Sequence, residues 1–296
     1  YEGEPARVAD LYADTLGLHN YAAAAADAPG AVRRAVAFYR GALPWLRAAV
    51  VKHRHAPDAD DRRGVVAFGD HPATEVTEHG VRYRIDIRAA RDAGFYLDTR
   101  GLRAFLKAEL KGRTLLNAFA YTGSLGVAAL AGGAARVVQL DASRAFLNVA
   151  KASCTLNGLP IHKGDFIAAD FWVATSRLRR AEARFDCVVL DPPFFATAAT
   201  GTVDLAHDAD RLINKVRPLV ADGGRLVAVN NALFLSGADY VALLNRLCAS
   251  GHLALEAPID VPEDVTGPAA TRVGGPPVDP APFNHPTKIA VLRVRR

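Results

Sequence analysis

The stretch Phe185-Asp186-Cys187-Val188-Val189-Leu190-Asp191-Pro192-Pro193-Phe194-Phe195 decides how this chain is read. The run from Phe185 to Leu190 predicts a buried strand of the kind found in parallel sheets covered by helices. Asp191 then stands just beyond the carboxyl end of that strand, where open parallel sheets bind their ligands. Two prolines stiffen the backbone there and two aromatic rings follow. Such a cluster suits a planar, nitrogen-bearing substrate, because the ring stacks on a base while the carboxylate or the proline carbonyls accept its N–H groups. Asp and Pro are equally ordinary turn residues, so the motif alone is also compatible with a plain strand-ending turn.

Upstream, the segment from Arg113 through Asn117, Phe119, Tyr121, Thr122 and Gly123 to Gly126 reads as a strand, a glycine-containing turn and the opening of a small-residue helix at Val127 to Leu130. Glycines let backbone approach a ligand closely, and a helix amino terminus offers free N–H groups to polar ligand atoms. A full G-x-G-x-x-G is missing, so the loop favours a smaller adenosine-bearing cofactor over a dinucleotide. The strand Arg136 to Asp141 follows, ending in an acid about 20 residues after the loop, a spacing suited to gripping ribose hydroxyls. A third acid, Asp165, is expected after a short strand near Ile161, where it would accept from an adenine amino group with Phe166 beside the ring. Any one of these acids is also a plausible helix cap. Their recurrence at successive strand ends points to a ligand.

The ordered series of glycine loop, ribose acid, adenine acid and Asp-Pro-Pro-Phe resembles the class I S-adenosylmethionine-dependent methyltransferases. More narrowly, Gly94 to Arg103, Asn117 to Gly123, Leu140-Asp141-Ala142-Ser143 and Asn157-Gly158 resemble the bacterial large-subunit ribosomal RNA methyltransferase family, whose members modify cytosine C5 or guanine N7. The resemblance runs from about Val81 to Phe195. It implies S-adenosyl-L-methionine as cofactor and ribosomal RNA as partner. It also implies that Asp141, Ala142, Ser143, Asp165 and Phe166 hold the cofactor, that the Asn117 to Gly126 loop cradles its methionine part, and that Tyr96, Asp98, Arg100 and Arg103 wall the pocket. Asp191, Pro192, Pro193 and Phe194 would face the methyl acceptor, with Asp191 also bordering the cofactor.

One departure bears on the chemistry. Cytosine C5 methylation needs a nucleophile, which the resemblance places on a cysteine after the strand that follows Asp-Pro-Pro. Here that strand reads Leu226-Val-Ala-Val-Asn230-Asn231-Ala232. Cys154, Cys187 and Cys248 fall within helix or strand patterns and read as small buried residues. A nitrogen acceptor needs no covalent intermediate, since alignment supplies most of the catalysis. Asp191 with Asn230 or Asn231 would orient it, although an Asn pair is equally a turn after a strand. Two alternatives remain on the sequence alone: a small heteroaromatic metabolite as acceptor, or a non-catalytic cofactor- or RNA-binding protein.

The expected architecture is α/β: a Rossmann-like seven-stranded methyltransferase sheet with helices on both faces over residues 91–296, preceded by a small α+β domain over residues 1–90. That first part reads as a helical preface to Arg54, with Val32, Val36, Tyr39 and Leu43 on one face, then strands at Gly64 to Gly69 and Glu75 to Ile87 turning at His79-Gly80, and a boundary near Ala89 to Asp92. Its arginines are suited to a phosphate backbone or to a solvated helix face. Toward the end, helices are expected over Leu205 to Val220 and Ala238 to Cys248, a long loop over Val265 to Pro286 that Phe283 to Pro286 would anchor, and a final edge strand from Thr287. The 296 residues, half of them apolar, carry 36 Lys and Arg against 31 acids, a mild net charge of +5. Three scattered cysteines and histidines without metal-ligand spacing suggest a reducing compartment and no metal. With no apolar run near ~20 residues and no signal peptide at the start, the expectation is a soluble cytoplasmic protein. Oligomeric state is not legible.

Overall fold

In the computed structural model, residues 6–22, 29–88, 92–198 and 200–296 are described, and they divide into two units, Tyr1–Tyr96 and Leu97–Arg296. The first unit contains β1 (Arg7–Tyr12), β2 (Thr15–Asn20), α1 (Pro29–Ala42), β3 (Ala48–His53), α2 (Ala59–Arg63), β4 (Val65–Phe68), β5 (Glu75–Glu78) and β6 (Val81–Arg84). One sheet has the order β1-β2-β3-β4, with β2 and β3 parallel and the outer pairs antiparallel. Val32, Val36, Tyr39 and Leu43 pack α1 onto it, against Leu16, Leu18, Ala49 and Val51. The helical preface is therefore corrected: α1 exists, but β1, β2 and β3 flank it, and residues 1–5 and 23–28 of that span lie outside the described residues. β2 is buried at all six positions, and a strand covered on both faces shows no period-two signal. β5 and β6 form the hairpin expected at His79-Gly80, whose φ angles of 50° and 76° suit a tight turn. β4 pairs with β3 instead of joining that hairpin. Of the expected boundary, residues 89–91 lie outside the described residues, and the two units part after Tyr96.

The second unit alternates strand and helix: α3 (Arg100–Glu109), β7 (Thr114–Ala118), α4 (Ser124–Ala131), β8 (Arg136–Asp141), α5 (Arg144–Leu156), β9 (Phe166–Ala168), α6 (Phe171–Arg180), β10 (Phe185–Leu190), β11 (Phe195–Ala198), β12 (Gly201–Asp204), α7 (Ala209–Val216), β13 (Val220–Asn230), α8 (Gly237–Cys248), β14 (Leu253–Pro258), α9 (Glu263–Thr266) and β15 (Lys288–Val294). Seven of these strands make one sheet in the order β14-β15-β13-β10-β7-β8-β9. β13, β10, β7, β8 and β9 run parallel, and β15 lies antiparallel between β13 and β14. Alternate residues of each central strand feed two cores. Leu116, Val138, Val188 and Leu226 pack with residues of α6, α7 and α8, while Leu115, Val137, Val189 and Val227 pack with those of α3 and α4. This two-sided burial is why the strands read as unbroken apolar runs.

Three expectations are corrected here. The last strand is not an edge: β15 is buried at six of seven positions because β14 pairs along its outer side. No strand forms near Ile161; the short strand is β9, which begins after Asp165. The helix predicted over Leu205 to Val220 is confined to α7 and a 3-10 turn, and a hairpin of β11 and β12 follows the Asp-Pro-Pro motif.

Candidate active site

The sheet places its switch point between β7 and β10. Chain order runs outward from β7 through β8 to β9, then returns to the other side of β7 with β10. Loops leaving the carboxyl ends of β7 and β10 consequently diverge and open a crevice there, the place where such sheets take ligands. Asn117 and Ala118 end β7, and Asp191 follows β10 with its N–H donating to the Ala118 carbonyl at 3.4 Å.

On the β7 side the loop is held by Asp141. Its Oδ2 accepts from the Tyr121 N–H at 2.8 Å and its Oδ1 from the Ser143 N–H at 2.7 Å, so one carboxylate ties together the ends of β7 and β8 and keeps further lone pairs for a ligand. Phe119 and Tyr121 sit at φ of 59° and 51°, a backbone that side chains rarely adopt and that persists where the surroundings dictate it. Gly123 continues the turn at φ 76°, and a Cβ there would meet that of Ala150 at 2.4 Å. Beneath the loop, the buried Asn117 donates to Gln139 Oε1 at 2.8 Å and Gln139 donates to the Gly123 carbonyl at 3.1 Å. Gly126 is small for Gln139, whose amide a Cβ would overlap at 2.2 Å. Gln139 escaped the sequence reading because a polar residue inside a strand carries no pattern. Asn117 Oδ1 is buried without a hydrogen-bond partner, an acceptor awaiting a donor. Thr122 is buried, Ala142 is exposed, and Ser143 caps α5 by accepting from the Phe146 N–H.

Asp165 and Phe166 do not join this group. Asp165 ends a 3-10 turn that precedes β9, at the amino end of the strands, and its Oδ1 accepts from Arg136 Nε and Nη2 at 2.8 and 2.7 Å. Phe166 opens β9 with the Lys151 ammonium 5.2 Å over its ring. The acid at the carboxyl end of β9 is Asp170, which follows Ala168, the register partner of Asp141. Asp170 Oδ1 caps α6 by accepting from the Val173 N–H, and Phe171 stacks on Phe119 at 4.5 Å. The signal was present, since the sequence holds Asp-Phe twice, at 165–166 and 170–171. Only the second precedes a capped helix.

The four expected wall residues have defined partners. Tyr96 closes the first unit, its hydroxyl donating to Asp92 Oδ2 at 3.1 Å and its ring half exposed. In the second unit Arg100 donates to both oxygens of Asp264 at 2.9 Å, and the buried Arg103 donates to Thr99 Oγ1 at 2.8 Å. Asp98 accepts from Thr287 Oγ1 at 2.7 Å, which brings it to the start of β15.

On the β10 side the acceptor groups converge. Burial, with the like charge of Asp98 adding to it, pushes the Asp191 carboxyl up to about 7. Pro192 is buried, while Pro193, Phe194 and Phe195 are exposed. The two asparagines after β13 have different tasks. Asn230 is fully buried and its amide is engaged, Nδ2 donating to the Leu205 carbonyl and Oδ1 accepting from the Ala232 N–H. Both polar atoms of its amide are taken up by the turn, the alternative the sequence also offered for the Asn pair. Asn231 donates to the Pro192 carbonyl at 3.3 Å and leaves a buried Oδ1 with no partner. Lys288, also fully buried, donates to the carbonyls of Ala232 and Pro286 at 3.0 and 2.6 Å and is pushed down to about 8 by burial. The same loop brings His285, whose ring burial lowers its pKa, toward Asp98 and Lys288. Asn284 anchors this loop by two hydrogen bonds to the Val261 backbone. The chain separation of Thr287 and Lys288 from the motif hid them from the sequence, whereas Asp98, expected as a pocket wall, is reached from Thr287.

Burial raises the Cys187 thiol to about 12 and the Cys154 thiol to about 11, so neither is a thiolate nucleophile. Among the described residues no group of three His, Cys, Asp or Glu is placed to hold a metal ion, and no helix is long and apolar enough to cross a membrane.

Residues 6–272 match a family model described as S-adenosylmethionine-dependent methyltransferase. The chain is similar to ribosomal RNA large subunit methyltransferase I of Aeromonas salmonicida (strain A449), with 32% identity over 85% of this chain and 63% of the relative. It is also similar to ribosomal RNA large subunit methyltransferase K/L of Allochromatium vinosum, with 37% identity over 53% of this chain and 22% of the relative. It thus spans less than two thirds of the length of these relatives. Among solved structures, the SMU.776 methyltransferase complexed with SAH has the same fold, with a TM-score of 0.83 at 20% identity over 98% of this chain and 72% of that one. The seven-stranded sheet, its loaded switch point and the match across most of the chain place the protein in the S-adenosylmethionine-dependent methyltransferase family, with S-adenosylmethionine as its cofactor.

Proposed function

We propose that the protein methylates a nitrogen of a nucleobase in ribosomal RNA. The observation that carries this reading is the tie between the carboxyl ends of β10 and β13, where Asn231 donates to the carbonyl of Pro192, the residue next to Asp191. Burial raises the Asp191 carboxyl to about 7, and one residue on, at Pro192, the Asn231 amide is fixed by its Nδ2 while its Oδ1 has no partner. Two acceptors so placed orient a base through its N–H groups, and exposed Phe194 offers a ring for stacking. The cysteines support a nitrogen acceptor over a carbon one, because C5 chemistry needs a thiolate and the two fully buried thiols are held protonated. The names of the relatives support RNA over a small metabolite.

S-adenosylmethionine supplies an electrophilic sulfonium methyl. The residues that fit it are Asp141 and Asp170 beyond β8 and β9 for the polar atoms of the adenosine part, and the Phe119 to Gly123 loop with the unpartnered Asn117 Oδ1 for the amino-acid part. Asp191 and Asn231 then hold the acceptor nitrogen in line, and Asp191 takes up the proton if the attacked nitrogen carries one. Three free cysteines fit a reducing cytoplasm.

The test is transfer of labelled methyl from S-adenosylmethionine into protein-free large-subunit ribosomal RNA from a strain lacking the gene, followed by digestion to nucleosides. An N-methylated base that is absent with Asp191→Asn supports the reading. A C5-methylated pyrimidine, or label in no nucleoside, overturns it.

A further inference from the structure

We propose that the α6–α7 face is a phosphate track that takes the RNA backbone flanking the methylated base. This rests on the RNA reading above and adds a second contact surface to it.

The track begins at the acceptor site. Immediately after Pro193, Phe194 and Phe195 are 44% and 58% exposed, and Phe195 opens the β11–β12 hairpin. The hairpin's Gly201 lies on Trp172 of α6, so close that a Cβ would meet Nε1 at 2.7 Å. Over the same indole stand the Arg211 guanidinium at 4.5 Å and the Lys215 ammonium at 5.8 Å, both from α7. Further along α6 opens a groove of about 450 Å³ lined by Ser176, Arg179, Arg180, Glu182 and Lys215. Ser176 Oγ accepts from Lys215 Nζ at 2.8 Å, which fixes that ammonium in the groove with donors to spare.

Cations without a carboxylate partner occur elsewhere in the unit, at Lys111, Arg144, Lys163 and Arg246 for example, but on this face Arg179, Arg180 and Lys215 line one groove together. Arg100, Arg136, Arg225 and Arg293 each lie within 3.1 Å of a carboxylate. Arg177, Arg179, Arg180 and Lys215 make no ion pair with any described carboxylate, and Arg211 reaches Asp208 only at 3.8 Å. Glu182 is the one acid in the groove lining. Cations left unpaired along one groove attract a polyanion and bind it by releasing its counterions. From Trp172 to Arg180 α6 rises ~12 Å, about three to four nucleotides at ~3.4 Å each. RNA is favoured over an acidic protein or lipid surface because the cations continue directly from two exposed aromatic rings beside the acceptor site, the combination that binds single strands.

Methyl transfer and equilibrium binding are measured with protein-free large-subunit ribosomal RNA at several salt concentrations, for the wild type, for R179Q/R180Q/K215Q and for E182Q. The triple variant is expected to raise the KM for RNA at least ~10-fold and to flatten the slope of log affinity against log salt by about 2, at ~0.7 per lost contact to a single strand. E182Q is expected to tighten RNA binding, a gain that no folding defect produces. Affinity for S-adenosylmethionine stays the same in all three. If the wild type methylates RNA and the triple variant matches it in KM and salt slope, the track is overturned while the RNA reading stands. Weaker RNA binding with an unchanged salt slope also overturns it, since lost phosphate contacts must change the slope. If the wild type transfers no methyl to RNA, both readings fall.

Discussion

Asp165-Phe166 and Asp170-Phe171 are the same dipeptide at the two ends of one three-residue strand, and their fates are opposite. Asp165, before β9, binds Arg136 and staples the amino ends of two strands. Asp170, after β9, caps a helix at the edge where Asp141, the glycine loop and Asp191 gather. In a parallel sheet the amino ends carry stability and the carboxyl ends carry chemistry, so position along a strand, not residue type, decides what an acid does.

Substitutions at the two edges should separate accordingly. Asp191→Asn is expected to lower kcat about 10²- to 10³-fold, the usual loss for one preorganised polar contact, with S-adenosylmethionine binding within a fewfold of wild type. Equal loss of both in single-turnover kinetics and calorimetry would return Asp191 to a plain turn residue. Asp141→Ala removes the anchor of Tyr121 and Ser143 together with the expected ribose contact, so cofactor affinity should fall by about 10- to 100-fold in calorimetry, ~1.4–2.8 kcal/mol.

Protonation sharpens the same contrast. Since burial holds the Asp191 carboxyl near 7, kcat/KM should rise with pH through about 7 as the accepting, ionised form appears. Asp98→Asn removes a like charge, favours the ionised form and should shift that limb to lower pH; a shift upward would contradict the assignment. Folding provides an independent readout. A carboxyl that titrates at 3.8 when unfolded and at about 7 when folded stabilises the native state below pH 3.8, and that contribution is lost as pH rises to about 7. In Asp191→Asn, thermal unfolding followed over that range should lose this slope. A loss of stability alone is expected at Lys288→Met, where the buried carbonyls of Ala232 and Pro286 lose their donor at a cost of about 1–3 kcal/mol in denaturant unfolding.

Much of the second unit was legible in the chain. β7, β8, β10 and β13 contain apolar runs with polar residues at or just after their carboxyl ends, and these ends border the proposed site. The first unit was less so, because β2 and β3 are short and buried on nearly all positions and lack alternation. At the site, Asp141 and Asp191 follow strands whose ends the sequence marks, whereas β9 is three residues long and its register was misplaced by five. Asn230 and Asn231 are adjacent and chemically identical, so only hydrogen bonding tells the turn former from the free acceptor. Thr287 and Lys288 were hidden by distance along the chain, since the fold brings residues nearly two hundred positions apart together, as in the Thr287 to Asp98 hydrogen bond.

The most direct measurement is S-adenosylmethionine affinity by calorimetry in Asp170→Ser and Asp165→Ser. Serine keeps the α6 cap at position 170 while removing the carboxylate, so the comparison isolates the ligand contact. The account predicts that Asp170→Ser weakens binding about tenfold and that Asp165→Ser leaves it within twofold while lowering thermal stability by about 1–2 kcal/mol through the part-buried Arg136 pair. The reverse order, with Asp165 needed for the cofactor and Asp170 dispensable, would contradict the assignment of chemistry to the carboxyl edge.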